Sequence, residues 1–186
     1  MTSWEKKREI MQRYDVTADI YEMRYAEEQK LKIETAFKEV EIKRYGTVLD
    51  VGCGTGILFD YVADKAEKVV GLDVSRKTLL QAKRRAKNFG NIHLVLADAD
   101  NMPIKERVFD YVFGITLLQN MPEPNVTLRE VNRVAKEDAK IIVTGMKKAF
   151  TFRGFKKLLS EAALDIVAFK DKNLKCYVAV CVKLSR

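Results

Sequence analysis

The sequence predicts an α/β fold built on a seven-stranded, doubly wound, mostly parallel sheet whose last strand runs antiparallel. Three observations predict it. Apolar runs of strand length alternate with helix-forming stretches between residues 47 and 162, the order that builds a parallel sheet with helices on both faces. The run Val48-Leu49-Asp50-Val51 closes on Gly52-Cys53-Gly54-Thr55-Gly56, which reads as a strand entering a ligand-binding turn. Past residue 162 the habit changes: 165–169 and 176–184 are β-branched runs joined by the polar stretch 170–175, which reads as an antiparallel hairpin.

Taken in order, residues 4–43 read as two helical stretches carrying Tyr14, Tyr21 and Tyr25, and 1–45 as a helical extension lying over the ligand site. Residues 46–186 read as one folded unit. Strands are expected at 47–51, 68–73, 92–97, 109–115 and 139–145, with helices at 56–64, 76–88, 124–135 and 152–162. In such a sheet a ligand sits beyond the carboxyl ends of the strands, where the strand order reverses. That edge collects the glycine turn, Asp73, Asp98, the Gly114-Ile115-Thr116 turn and the segment 146–157.

The glycine spacing separates two cofactor classes. A dinucleotide fingerprint G-x-G-x-x-G would place its third glycine at position 57, which is Ile57. The shorter G-x-G-x-G here follows an acid, Asp50. A second apolar strand, Lys68-Val69-Val70-Gly71-Leu72-Asp73, ends in a carboxylate suited to a ribose, and Asp73 and Ser75 equally suit a helix start. Then come Ala97-Asp98-Ala99-Asp100-Asn101-Met102-Pro103, Phe109-Asp110-Tyr111-Val112-Phe113 and Met121-Pro122-Glu123-Pro124.

These elements, in this order, resemble those of the class I S-adenosylmethionine-dependent methyltransferases, a Rossmann-like family. The upstream segment Tyr14-Asp15-Val16-Thr17-Ala18-Asp19-Ile20-Tyr21 resembles the Y-D-x-x-A-x-x-Y element of the ubiquinone/menaquinone-methyltransferase-like branch, where it folds over the cofactor. The resemblance implies S-adenosyl-L-methionine as cofactor. It implies Asp50, Gly52, Cys53, Gly54, Thr55, Gly56, Asp73, Val74, Asp98, Ala99, Ile115 and Tyr21 as its binding residues. Asp73 would take the ribose hydroxyls, Asp98 the adenine amino group, with Asp100 the alternative for a slip of register, and the backbone N–H of Ala99 an adenine ring nitrogen. It also implies that the antiparallel last strand inserts beside the fifth.

Composition bounds the rest. A chain of 186 residues, 47% hydrophobic, can bury one substantial core. No apolar run suffices to cross a bilayer and the first residues lack a signal peptide's apolar stretch, so a soluble, cytoplasmic protein is expected. Cys53, Cys176 and Cys181 lack metal-ligand spacing and are expected as free thiols; with His93 the one histidine, no metal is expected. The run Lys83-Arg84-Arg85 with Lys87 reads as a solvated helix face.

The acceptor is less legible. The formal net charge of +8 favours an anionic partner. Lys147, Lys148, Phe150 and Arg153 combine cations with an aromatic ring at the expected mouth, a pairing suited to RNA, although Thr151 could simply cap a helix and Phe155 pack beneath it. Tyr14, Tyr25 and Gln119 complete the candidate substrate set, Gln119 and Asn120 standing where many relatives carry a histidine pair. The residue after the fourth strand reads Gly114-Ile115-Thr116-Leu117, without the N/D-P-P-Y/F motif of base-amino methyltransferases. No convincing general base is found. Three readings follow: an RNA or translation-related acceptor, a small-molecule acceptor, or a cofactor-binding subunit that needs an activating protein partner.

Overall fold

The computed structural model describes residues 2–184, apart from the side chains of Ser3, Ala18, Asp19, Tyr21, Glu22 and Arg24. The chain opens on α1, Ser3–Phe37, which a capping box starts: Thr2 Oγ1 accepts from the Glu5 N–H, and the Glu5 carboxylate accepts from the Thr2 N–H. Two helical stretches were expected over 4–43. One continuous helix of 35 residues is found, because no glycine or proline interrupts it.

The strands are β1 Thr47–Val51, β2 Lys68–Asp73, β3 Ile92–Leu96, β4 Phe109–Gly114, β5 Ala135–Met146, β6 Leu164–Lys170 and β7 Cys176–Lys183. They form one sheet in the order β3-β2-β1-β4-β5-β7-β6. β1 to β5 pair in parallel, and β7 runs antiparallel to both β5 and β6. The expected insertion of the last strand beside the fifth is therefore found. The order reverses between β1 and β4, which puts the ligand edge there.

The helices between strands are α2 Phe59–Val62, α3 Arg76–Ala86, α4 Pro124–Val134 and α5 Phe152–Glu161. α2 is shorter than the expected 56–64 because Gly56 takes φ +82°, which keeps 56–58 in a turn. β5 starts earlier than the expected 139, directly after α4, with a bulge in its pairing to β4.

Period-2 alternation divides the core. Leu49, Val51, Val112, Ala179 and Cys181 face α4 and α5 in a cluster with Leu128, Val131, Phe155 and Leu159. Their neighbours Val48, Tyr111, Phe113, Val178 and Val180 face the other way. They pack with Phe59, Val62, Leu79 and Ala82 and with Ile33 and Ala36 near the end of α1. Among the described residues of α1, those buried in the core lie in its C-terminal part, and its earlier turns cross the ligand edge.

Candidate functional site

The glycine turn is built by geometry that side chains resist. Gly52, Gly54 and Gly56 have φ of 72°, 55° and 82°. The N–H groups of Gly52 and Cys53 both donate to the Leu72 carbonyl, at 2.7 and 3.0 Å, folding the turn against the end of β2. A methyl group on Gly52 would stand 2.9 Å from a Leu117 methyl, whereas one on Gly54 would meet nothing within 4 Å. Gly54 faces open space.

Asp73 ties this turn to α3. Its carboxylate accepts from Gly54 N and Ser75 N, each at 2.8 Å, and from Thr78 Oγ1 at 3.3 Å. Burial pushes its pKa up, opposed by those hydrogen bonds. Ser75 caps α3 through Thr78 N, and its hydroxyl donates to Asp15 of α1 at 2.5 Å. Asp50, 3% exposed at the end of β1, has no hydrogen-bond partner among the described residues; burial first, and the nearby Asp73 second, push its pKa up to about 8. Cys53 is a buried thiol whose pKa burial also raises, which makes it a poor nucleophile.

One cleft gathers most of the expected cofactor residues. Gly52, Gly54, Thr55, Asp73, Val74, Asp98, Ala99 and Ile115 line it, under an outer wall of Lys7, Ile10 and Tyr14 from α1. Asp50, Cys53, Gly54 and Thr55 line a smaller hollow behind the turn. Gly56 lines neither and serves the turn itself, its N–H donating to Cys53 O at 2.9 Å. The side chain of Tyr21 lies outside the described residues.

Asp98 and its rival Asp100 are distinguished by their surroundings. Asp98 lines the cleft; Asp100 turns to α4, where it accepts from Thr127 Oγ1 at 2.5 Å. Lys7 bridges the two, 2.7 Å from Asp98 and 2.5 Å from Asp100. Burial alone would lower the Lys7 pKa, but the two carboxylates outweigh it and hold the ammonium charged above its ordinary range.

A second cavity, about 920 Å³, adjoins the cleft and shares Tyr14, Thr116 and Asn120 with it. Of the expected substrate residues, Tyr14, Tyr25, Gln119, Lys147 and Lys148 line it. Phe150 and Arg153 do not, and that expectation is corrected. Phe150 turns inward onto Phe155, ring centroids 5.7 Å apart, while Arg153 lies exposed on α5. Arg85 also departs from the expected solvated face: it pairs with Asp60 and donates to the Thr55 carbonyl at 3.3 Å.

Thr116 stands at the junction in a left-handed conformation, φ +61°, which is strained for a β-branched residue. A dense set of bonds holds it there. Its N–H donates to Thr144 Oγ1, its hydroxyl donates to Gln29 and accepts from Lys32, and its carbonyl accepts from Gln119 and Asn120, all within 2.6–2.9 Å. Asn120 in turn donates to the Tyr14 hydroxyl at 2.9 Å and accepts from Arg13 at 3.0 Å. Sequence reasoning passed over Lys7, Arg13, Lys32 and Lys175, since nothing local separates these cations from the many others.

The site residues suit a nucleoside bearing charged groups. The buried Thr55 hydroxyl has no hydrogen-bond partner among the described residues, Gly54 leaves room for close approach, and two carboxylates stand at the ends of β2 and β3. A family model described as a methyltransferase domain matches residues 49–143. The chain belongs to this methyltransferase domain family. Its cofactor is S-adenosylmethionine.

Among curated relatives, the chain is 37% identical over 122 residues to a demethylmenaquinone methyltransferase of Staphylococcus saprophyticus, which covers 62% of this chain and 51% of that protein. The chain thus spans about half the length of the curated relatives it matches. In fold it resembles the 1,6-didemethyltoxoflavin-N1-methyltransferase of Burkholderia thailandensis, with TM-score 0.85 at 15% identity, covering 100% of this chain and 92% of that one. It also resembles a chain of the Haloferax volcanii complex between the Trm112 methyltransferase activator and a methyltransferase, with TM-score 0.76, 15% identity and coverage of 92% and 98%.

Proposed function

We propose that this methyltransferase-family chain transfers a methyl group from S-adenosylmethionine to a small molecule seated in the second cavity. One observation carries the reading: a half-enclosed cavity of about 920 Å³ opens directly onto the cofactor cleft through Tyr14, Thr116 and Asn120. That size suits a small organic ligand. The demethylmenaquinone methyltransferase relative and the toxoflavin-type neighbour, both named for small acceptors, support it.

S-adenosylmethionine, when bound, supplies an electrophilic methyl group on a positively charged sulfur. The chain's task is then to hold and align, which can supply much of the rate in an in-line displacement. Asp73 would accept from the ribose hydroxyls, and Asp98 from the adenine amino group, with the Ala99 N–H available to a ring nitrogen. The turn 52–56, with Asp50 behind it, would hold the amino-acid portion, and Val74 and Ile115 would offer apolar contact. The early turns of α1 close the cleft from outside through Lys7 and Tyr14.

The contrasting surroundings of the two acids make a test of the adenine assignment. Asp98→Ala should weaken S-adenosylmethionine binding at least tenfold by calorimetry. Asp100→Ala should lower the melting temperature, through loss of Thr127 and Lys7, while affinity changes less than threefold. The reverse pattern would exchange the two roles.

The acceptor class is tested by methyl-label transfer from S-adenosylmethionine into a cell lysate, followed by nuclease, protease or solvent extraction. Solvent-extractable label is expected. Nuclease-sensitive label would instead favour RNA, the reading that the charge of +8 supports. Against RNA, Phe150 is packed on Phe155 rather than free to stack on bases, and Phe152, although 45% exposed, does not line the cavity. The likeness to the activator-bound Haloferax chain supports a second reading, in which label appears only when lysate protein is present during transfer.

A further inference from the structure

The second cavity is electrically lopsided. Arg13, Lys147, Lys148 and Lys175 line it, against one carboxylate among the described lining residues, Glu28. Glu28 is already engaged: one oxygen lies 2.7 Å from the Lys32 ammonium and the other 3.9 Å from Lys175. Lys32, 1% exposed, therefore places a further positive charge just behind the wall. Asp171 offsets part of this, standing 4.0 Å from Lys147. Among the described residues the remaining cations leave an excess of positive charge around this half-enclosed volume, and a cleft lined by one sign of charge draws in the opposite ion.

Among the described lining residues of this cavity one carboxylate, Glu28, stands ready to take a proton, and it is already ion-paired. Among its described lining residues there is no histidine, and His93 lies exposed on β3, lining neither cavity. Burial keeps the Tyr14 phenol protonated, outweighing Arg13 and the Asn120 N–H, both of which act the other way. Glu28 is held by the two lysines. An acceptor that must lose a proton to attack would find only this ion-paired carboxylate among the described lining residues.

Resting on the reading of this cavity as the acceptor site, we propose that the acceptor is a small organic carboxylate whose own oxygen takes the methyl group. A carboxylate is already deprotonated at neutral pH, so it attacks without a base. A lone pair on the carboxylate oxygen forms the new C–O bond to the methyl carbon. The S–CH3 bond breaks with its electron pair staying on sulfur. The anion and the sulfonium are both neutralised, giving a methyl ester and S-adenosylhomocysteine with no proton to place. The lysines and Arg13 concentrate the anion before transfer and release the uncharged ester after it.

The test is alkali lability. The purified chain is supplied with methyl-labelled S-adenosylmethionine and either the small-molecule extract of a lysate or the sodium salts of benzoic, hexanoic and succinic acids, each beside its amide. The expected label enters acids rather than amides and is released as methanol by mild alkali, as methyl esters are. Label that resists alkali would overturn the carboxylate proposal while leaving the methyltransferase reading intact. No transfer to any small molecule, with cofactor binding measured in the same preparation, would overturn both. The double variant Lys148→Gln/Lys175→Gln should raise KM for the acid at least tenfold with the cofactor Kd unchanged; an unaltered KM would remove the electrostatic argument.

Discussion

Replacing Asp73 by Ala should weaken S-adenosylmethionine binding by about 2–3 kcal/mol, roughly 30- to 150-fold in Kd. Two losses add. The ribose hydroxyls lose their charged acceptor, and the glycine turn loses its tether, since Asp73 is what holds the Gly54 N–H, the Ser75 N–H and the Thr78 hydroxyl together. Calorimetry and thermal melting separate the two. Asp73→Ala should lower both affinity and melting temperature. Asp73→Asn keeps the shape and one of the two acceptor oxygens but turns an NH2 toward the other backbone N–H, so it should recover only part of the melting temperature while leaving affinity at least tenfold weaker. Wild-type affinity in the Ala variant would refute the ribose assignment outright.

The second large effect concerns pH. The Asp50 carboxyl keeps its proton up to about 8 in the folded chain, against an ordinary value of 3.8. Folding therefore takes up a proton between those values, so stability is highest below about pH 4 for this group and falls as pH rises toward 8. Burial of an unpartnered carboxylate is the cause, with the neighbouring Asp73 adding to it. Asp50→Asn has no charge to bury. It should melt near the wild type at pH 4 and well above it at pH 8, a difference on the order of several kcal/mol. Asp73, also shifted upward, contributes in the same direction, so the slope is reduced rather than abolished. If the wild-type slope persists unchanged in Asp50→Asn, the proton resides elsewhere.

This predisposes the site toward a cation. A positive group entering beside the turn would favour ionised Asp50, so cofactor binding at pH 7 should release a proton. Binding enthalpies measured in two buffers of different ionisation enthalpy would then differ; identical values would place the cofactor's positive groups away from Asp50.

How much of this was legible without coordinates depends on whether the signal is local. The glycine turn was, because positive φ at 52, 54 and 56 is demanded by a sharp strand-to-loop reversal that only glycine adopts cheaply. Asp73 and Asp98 were, because each follows an apolar strand whose length fixes where its carboxyl end falls. The C-terminal hairpin was, from its β-branched runs. The segment 146–157 was misread in part: a basic and aromatic composition does not say which way a ring turns. The structure sends Phe150 onto Phe155, and Phe152 toward Phe169 and Tyr177, so of its basic and aromatic residues Lys147 and Lys148 alone line the cavity.

The sequence by itself therefore determined the sheet, the family and the cofactor edge, since alternation of period two, glycine torsions and strand-terminal acids are all written within a few consecutive residues. The tertiary structure alone decided what closes that edge and what the acceptor meets. Lys7 reaches Asp98 and Asp100 from more than ninety residues away in the chain, and Lys32 and Gln29 lock Thr116 across a comparable separation. Such contacts depend on where a long helix, anchored near its end by Ile33 and Ala36, lies across the sheet. That placement is set by summed packing between distant segments, which no local pattern of residues records.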